Sequence, residues 1–324
     1  MPEGGHLVVN GFRAGQSWVV DVRDPMAPVV TSSFTDAGPY SSPHSFDRMP
    51  SGNLLATFQY YEGDNTRPGG LVELDPAGNF LRGTDAADPV DPELHPYSLA
   101  IEPRINRVVT TTSDMSMNHE GSSVQIWSLD ELELLHTIPL PPGPRGDEHL
   151  NPAEPRFLAD GSAIVNTFNC GMYYLTAIDS DAPEVHFMGS LPRDVDGVLG
   201  AAECSLPVLY RNFWVQTSDP LHSIVVFDIT DPRRPIAVDQ LEFDEGTMPH
   251  WLSLERGTNR IVMTGSGEEL AGMVVLLEID RETGALSIVE EFGGAGSIGV
   301  SLNGPSFPHG ETGPAIPHGA VFSR

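Results

Sequence analysis

An apolar run that closes on an acidic turn recurs six times in this chain, and that repeat constrains the fold more than any other feature. The copies lie at residues 18–21 (WVVD), 71–75 (LVELD), 124–130 (VQIWSLD), 175–179 (LTAID), 225–228 (VVFD) and 274–280 (VVLLEID). Asp suits the turn because its side chain can accept from the backbone two residues on, and Pro or Gly follows in several copies. A more polar strand is expected after each turn, at residues 29–31, 80–82, 134–138, 185–188, 236–241 and 286–290. The fullest copy spans residues 43–75 and shows three strands in order, with a polar turn at 50–53 and a Gly69-Gly70 pair before the last.

Four short strands repeating about every fifty residues is the pattern of a β-propeller blade. The fold expected is therefore all-β, a six-bladed propeller, with seven blades as the alternative count. An open stack or a two-sheet sandwich is the competing architecture. The N-terminus supplies only the second to fourth strands of a blade, from about Leu7. Residues 317–322 supply a lone strand, so their pairing with 7–10 is expected to close the ring, which removes two exposed edges. The whole chain, residues 1–324, then forms a single propeller domain.

Composition agrees with many strands joined by turns: 33 Gly and 29 Pro in 324 residues, with no long amphipathic helical run. The formal net charge of −28 argues against nucleic acid or an anionic membrane as partner. Every basic residue is Arg. Two cysteines, Cys170 and Cys204, are too few for a disulfide framework or a thiolate zinc site. The opening MPEGGHLVVNG has no secretory leader pattern and no run reaches membrane-span length, so a cytoplasmic protein is expected.

Innermost propeller strands bring their heads together from different blades. The heads read His44, His95, Glu154, Cys204 (after Glu203), His250 and His318, and three of the four histidines directly follow Pro. One histidine at a strand head is ordinarily a hydrogen-bonded structural residue, but four in register point to a metal or catalytic cluster. Imidazoles with a nearby carboxylate suit copper, iron(II) or zinc, and suit magnesium or calcium poorly. The metal residues expected are His44, His95, His250 and His318, sharing one ion. Glu154 is the candidate catalytic carboxylate, with a salt bridge to Arg156 as its structural alternative. The Asp114-Met115-Ser116-Met117-Asn118-His119-Glu120 loop, His149, His309 and the Tyr60-Tyr61 pair are weaker candidates.

At these residues the chain resembles the selenium-binding protein family, best known for methanethiol oxidase activity. The resemblance rests on Pro43-His44 with GGLVELD at 69–75, EPRFL at 154–158, DITDPRRP at 228–235 and GPAIPH at 313–318. It implies a propeller, a copper ion held by channel histidines (iron(II) the alternative), His44 and His318 as metal-site residues and Glu154 as a channel carboxylate. It also implies oxidation of a small molecule such as a thiol by O₂. Family members carry an additional N-terminal blade with Cys- and His-containing segments that have no counterpart here. His250 stands where the resemblance suggests an apolar residue or Gln. A Lewis-acid lyase or hydrolase, and a non-catalytic metal- or partner-binding propeller, are the competing functions.

Overall fold

The computed structural model describes residues 5–12, 15–88, 94–116, 119–193, 203–267, 270–294, 296–304 and 313–322. The strands form six antiparallel sheets. The first has three strands, β1 (His6–Gly11), β2 (Gln16–Asp21) and β3 (Val29–Phe34). The second is β4 (Tyr40–Arg48), β5 (Leu54–Tyr61), β6 (Gly70–Leu74) and β7 (Phe80–Asp85). The third is β8 (Pro96–Glu102), β9 (Arg107–Thr112), β10 (Ser123–Ser128) and β11 (Leu134–Pro139). The fourth is β12 (Pro152–Phe157), β13 (Ala163–Thr167), β14 (Gly171–Thr176) and β15 (Glu184–Ser190). The fifth is β16 (Val208–Tyr210), β17 (Phe213–Ser218), β18 (Ser223–Asp228) and β19 (Ile236–Glu242). The sixth is β20 (Met248–Leu254), β21 (Arg260–Ser266), β22 (Met273–Ile279) and β23 (Leu286–Ile288), with β24 (Val300–Ser301) also on β22. Each sheet runs in chain order, the meander expected of propeller blades. Two 3₁₀ turns, Pro103–Ile105 and Glu290–Phe292, join strands, and among the described residues no helix is long and apolar enough to cross a membrane.

The acidic turns do what their sequence suggests. Asp75 Oδ1 accepts from the Ala77 and Asn79 amides, Asp228 Oδ1 from Thr230, and Asp280 Oδ1 from Glu282 and Thr283. The bonds hold the Asp228 and Asp280 carboxyls below the ordinary carboxylate range.

The chain divides into two compact units. The first comprises Met1–Val165, Tyr173–Phe187 and Ser323–Arg324; the second comprises Asn166–Met172 and Met188–Phe322. In the first, neighbouring strand residues serve opposite cores. Val108 packs with Leu55, Leu71, Leu99 and Trp127, whereas Val109 packs with Ile126, Val165, Tyr173 and Leu175. Side chains alternate faces along a strand, and both faces of the sheet are covered, so the strand reads as a continuous apolar run. The second unit packs Val215 and Val226 against Ile261, Met263 and Leu277 in the same way.

Three expectations need correction. The strand expected at 175–179 is β14, which ends at Thr176 because Ala177 turns left-handed (φ 52°). The strand expected at 286–290 stops at Ile288, where a 3₁₀ turn follows. Residues 317–322 form no strand, and the first sheet remains three-stranded. Pro317 has no amide to give a ladder. The segment is held instead through the His318 carbonyl, which accepts from Thr264 Oγ1 at 3.0 Å.

Candidate functional site

His44 and His250 owe their placement to irregularities in their strands, and a like irregularity follows His95 in β8. In β4 the pairing jumps from Pro43↔Phe58 to Phe46↔Ala56, so His44 and Ser45 together oppose Thr57. In β8 it jumps from Pro96↔Thr112 to Leu99↔Thr110, so Tyr97 and Ser98 oppose Thr111. In β20 it jumps from Pro249↔Gly265 to Trp251↔Thr264, leaving His250 over. These are β-bulges, which re-aim a side chain, and Pro fits them because a bulge leaves an amide unpaired. His44 thus lies inside β4 and not at its head.

A recurring side-chain bond fixes which residues are equivalent. Thr57 Oγ1 donates to the Tyr97 carbonyl at 2.7 Å, and Thr111 Oγ1 to Ala153 at 2.6 Å. Asn166 Nδ2 does the same to Cys204 at 3.0 Å, and Thr264 Oγ1 to His318 at 3.0 Å. Thr217 Oγ1 reaches the His250 carbonyl at 3.5 Å. The Ser45 amide donates to Thr57 Oγ1 as the Ser98 amide donates to Thr111 Oγ1, which matches His44 with Tyr97. The equivalent set is therefore His44, Tyr97, Ala153, Cys204, His250 and His318. Three of the four predicted histidines share the position. His95 lies two residues before it and Glu154 one residue after, so the register read from the sequence is corrected at both.

In the first unit, His44 Nδ1 lies 2.9 Å from the Tyr97 carbonyl and 3.1 Å from Ser45 Oγ, with its ring stacked on Tyr97 at 3.9 Å. His95, 2% exposed, has Nδ1 2.7 Å from the Gln59 carbonyl. A carbonyl only accepts, so in the neutral form of each ring Nδ1 carries the proton and Nε2 the lone pair. That is the tautomer of a metal-ligating histidine, whose other N–H is ordinarily held by a carbonyl or carboxylate. Tyr60 stands edge-on to His95 at 5.5 Å, and Phe12 lies near both Tyr60 and His44. Glu154 is buried, its Oε2 accepting from Ser98 Oγ at 2.8 Å and from Arg156 Nη1 at 2.7 Å. The carboxylate thus carries the Arg156 ion pair anticipated as its structural role. Asp114 accepts from Ser116 and from the His119 amide, while Met117 and Asn118 lie outside the described residues, as does His309.

In the second unit, His250 and His318 face one another, Nε2 to Nε2, at 3.2 Å. His250 Nδ1 lies 3.0 Å from the buried Ser205 hydroxyl. Burial first, and then the neighbouring His318, hold His250 down to about 4; burial also lowers His318, although part of its surface stays exposed. Both rings are neutral at pH 7. Two nitrogens 3.2 Å apart have the separation of donors each roughly 2.0–2.1 Å from one tetrahedral ion. The spacing of the pair would suit two ligands of one ion, but among the described residues no three His, Cys, Asp or Glu come together as a group that could hold a metal.

His318 is positioned by Gly319, where a Cβ would fall 2.6 Å from Cδ2 of the Trp251 ring. Gly319→Ala should push the terminal segment off Trp251 and cost roughly 1–3 kcal/mol in urea unfolding; an unchanged midpoint would show that the contact does not anchor it.

Two features near the Cys204 position are absent from the sequence expectations. Cys170 and Cys204 are joined in a disulfide with a Cα separation of 4.9 Å. The single bond buries both residues and removes Cys204 from the candidate ligands. Glu203, next to Cys204 in the chain, and Asp219, whose amide donates to the Glu203 carbonyl, are both raised by burial, Asp219 to about 7 with Glu203 as its second cause. Cys204 following Glu203 at a predicted strand head was the available signal.

No family model matches the chain, and no curated protein matches it. Among solved structures it is similar to a hypothetical selenium-binding protein from Sulfolobus tokodaii, with a TM-score of 0.73, 16% identity, and 89% of this chain and 74% of that one covered. The fold is a six-bladed β-propeller. The chain is also similar to a periplasmic gluconolactonase from Pseudomonas aeruginosa (TM-score 0.60, 14% identity, coverage 85% and 76%). A putative 6-phosphogluconolactonase from Bacteroides fragilis matches at TM-score 0.63 and 10% identity, with coverage of 89% and 82%. At these identities the likeness is one of fold, shared by selenium-binding and lactonase-type proteins.

Proposed function

We propose that this protein is a metal-dependent oxidoreductase that oxidises a small reduced molecule of the thiol class with O₂. The observation that carries the reading is the His250–His318 pair, two neutral imidazoles with Nε2 atoms 3.2 Å apart. They would hold a copper ion, or iron(II), and His44 and His95 are assigned the same ligand use in the first unit on the strength of their Nδ1–H bonds to carbonyls. Such an ion supplies one-electron chemistry and an open position for substrate or O₂. The Tyr97 and Gln59 carbonyls keep the His44 and His95 protons on Nδ1, and the Ser205 hydroxyl, which can accept or donate, serves His250 in either tautomer. Glu154, with Ser98 and Arg156 on its carboxylate, is the proposed proton-transfer residue.

Metal analysis of protein purified without added metal, together with O₂ uptake on small thiols, tests this. His250→Ala and His318→Ala should each lower bound copper while leaving the fold intact. Glu154→Gln should keep the metal and reduce turnover by about 10²-fold or more. Unchanged metal in both histidine variants, or turnover without O₂, would overturn the reading. A second reading, hydrolysis of a lactone or related ester with the ion as Lewis acid, draws on the fold shared with proteins named as gluconolactonases. Equal activity with zinc in place of copper would move the assignment there.

A further inference from the structure

The residue that orients His250 lies next to Cys204 in the chain, and a buried network connects the two. Asn166 Nδ2 donates to the carbonyls of both Cys204 (3.0 Å) and Ser205 (2.9 Å). Gln216 Nε2 donates to the Ser205 carbonyl at 2.7 Å, and the Leu206 amide to the His250 carbonyl at 3.1 Å. The Cys204 amide donates to the Phe168 carbonyl at 3.1 Å. Asn166, Ser205 and Gln216 are each no more than 1% exposed. The disulfide closes this arrangement covalently by tying Cys204 to Cys170, in the turn between β13 and β14. The Ser205 hydroxyl is thereby held 3.0 Å from His250 Nδ1. A hydroxyl can accept from Nδ1–H, which frees Nε2 as a ligand, or donate to bare Nδ1, which puts the proton on Nε2. In the free pair one Nε2 must carry a proton toward the other; with an ion bound both must be bare. A partner that serves either tautomer is what metal exchange at this pair requires.

We propose that the Cys170–Cys204 disulfide is a maturation lock on the His250–His318 pair, fixing Ser205 as the residue that positions His250 for metal capture. The role of Ser205 as a positioning group rests on the metal reading above; the lock on the His250 orientation does not. Closing the lock joins two thiols into a disulfide, with two electrons and two protons passing to a disulfide-bearing oxidant. Opening it returns both from a dithiol, which is itself oxidised to a disulfide. The two cysteines are 2% and 1% exposed, so thiolate attack on the folded protein is blocked and the lock is set during folding. Such folding belongs to an oxidising compartment, where disulfides form and persist.

The test compares oxidised protein, protein refolded in dithiothreitol, Cys170→Ala/Cys204→Ala, Ser205→Ala and Ser205→Thr. Affinity for Co(II) is measured by chelator competition, and the His250 tautomer by imidazole ¹⁵N shifts in metal-free protein. Oxidised parent and Ser205→Thr should bind alike, while reduced protein and Ser205→Ala should bind roughly 10–100-fold more weakly. The His250 Nδ1 shift should change with each loss. Ser205→Ala should add little to the loss in the double-cysteine variant, because the two act through one connection. Equal Co(II) affinity of folded oxidised and reduced protein would overturn the lock. If the cysteine variant does not fold, parent affinity in Ser205→Ala overturns it equally. If the oxidised parent binds no ion, the metal reading falls instead. The lock is then decided by the ¹⁵N shifts, an unchanged His250 shift on reduction counting against it and an altered one supporting it.

Discussion

Asp219→Asn should stabilise this protein by roughly 2–4 kcal/mol above pH 7 and hardly at all near pH 4. Burial, followed by the charge of Glu203, raises the Asp219 carboxyl to about 7. Its Oδ1 is shut off from solvent without a hydrogen-bond partner among the described residues. In the unfolded chain the same carboxyl ionises near 3.9. Between these values the folded state holds a proton that the unfolded state has lost, so stability falls as pH rises through this window. The loss is complete above about 7. Asn cannot ionise and avoids the loss. His250 acts in the opposite direction: lowered to about 4, it takes stability away as pH falls from about 6.5 through 4. The difference between variant and parent, measured by urea unfolding at several pH values, separates the two. A difference that stays flat from pH 4 to 8 would show that Asp219 ionises freely in the folded protein.

Trp127→Ala should cost roughly 3–5 kcal/mol. The indole is fully buried among Leu55, Leu71, Leu99 and Val108, and its Nε1–H donates to Thr110 Oγ1 at 3.0 Å. Truncation removes that burial, leaves a cavity between two sheets and deprives a buried hydroxyl of its donor. Trp127→Phe keeps most of the volume and should recover more than half of the loss. A fall in urea midpoint with unchanged slope is the expected signature. If Trp127→Ala instead melts like the parent, the cores between neighbouring sheets contribute less than their burial implies.

The repeat of apolar run and acidic turn determined the six sheets and their chain order, because a strand buried on both faces must read as a continuous apolar segment and its turn must accept local amides. Pro followed by His marked His44 and His250 because a bulge tolerates the missing amide, and the sequence carries that chemistry in adjacent residues. The register of the candidate site was decided only in three dimensions. His95 and Glu154 look equivalent to His44 by spacing, yet the Thr57 and Thr111 hydroxyl bonds put Tyr97 and Ala153 in that place. Spacing along a chain does not count the residues a bulge inserts. The partners in the Cys170–Cys204 bond, the Ser205 contact to His250 and the Glu203–Asp219 pair were likewise set only by the fold, although Glu203-Cys204 marked the place in sequence. Each joins segments far apart in sequence, and what such a group does is set by the partner and the burial that folding gives it.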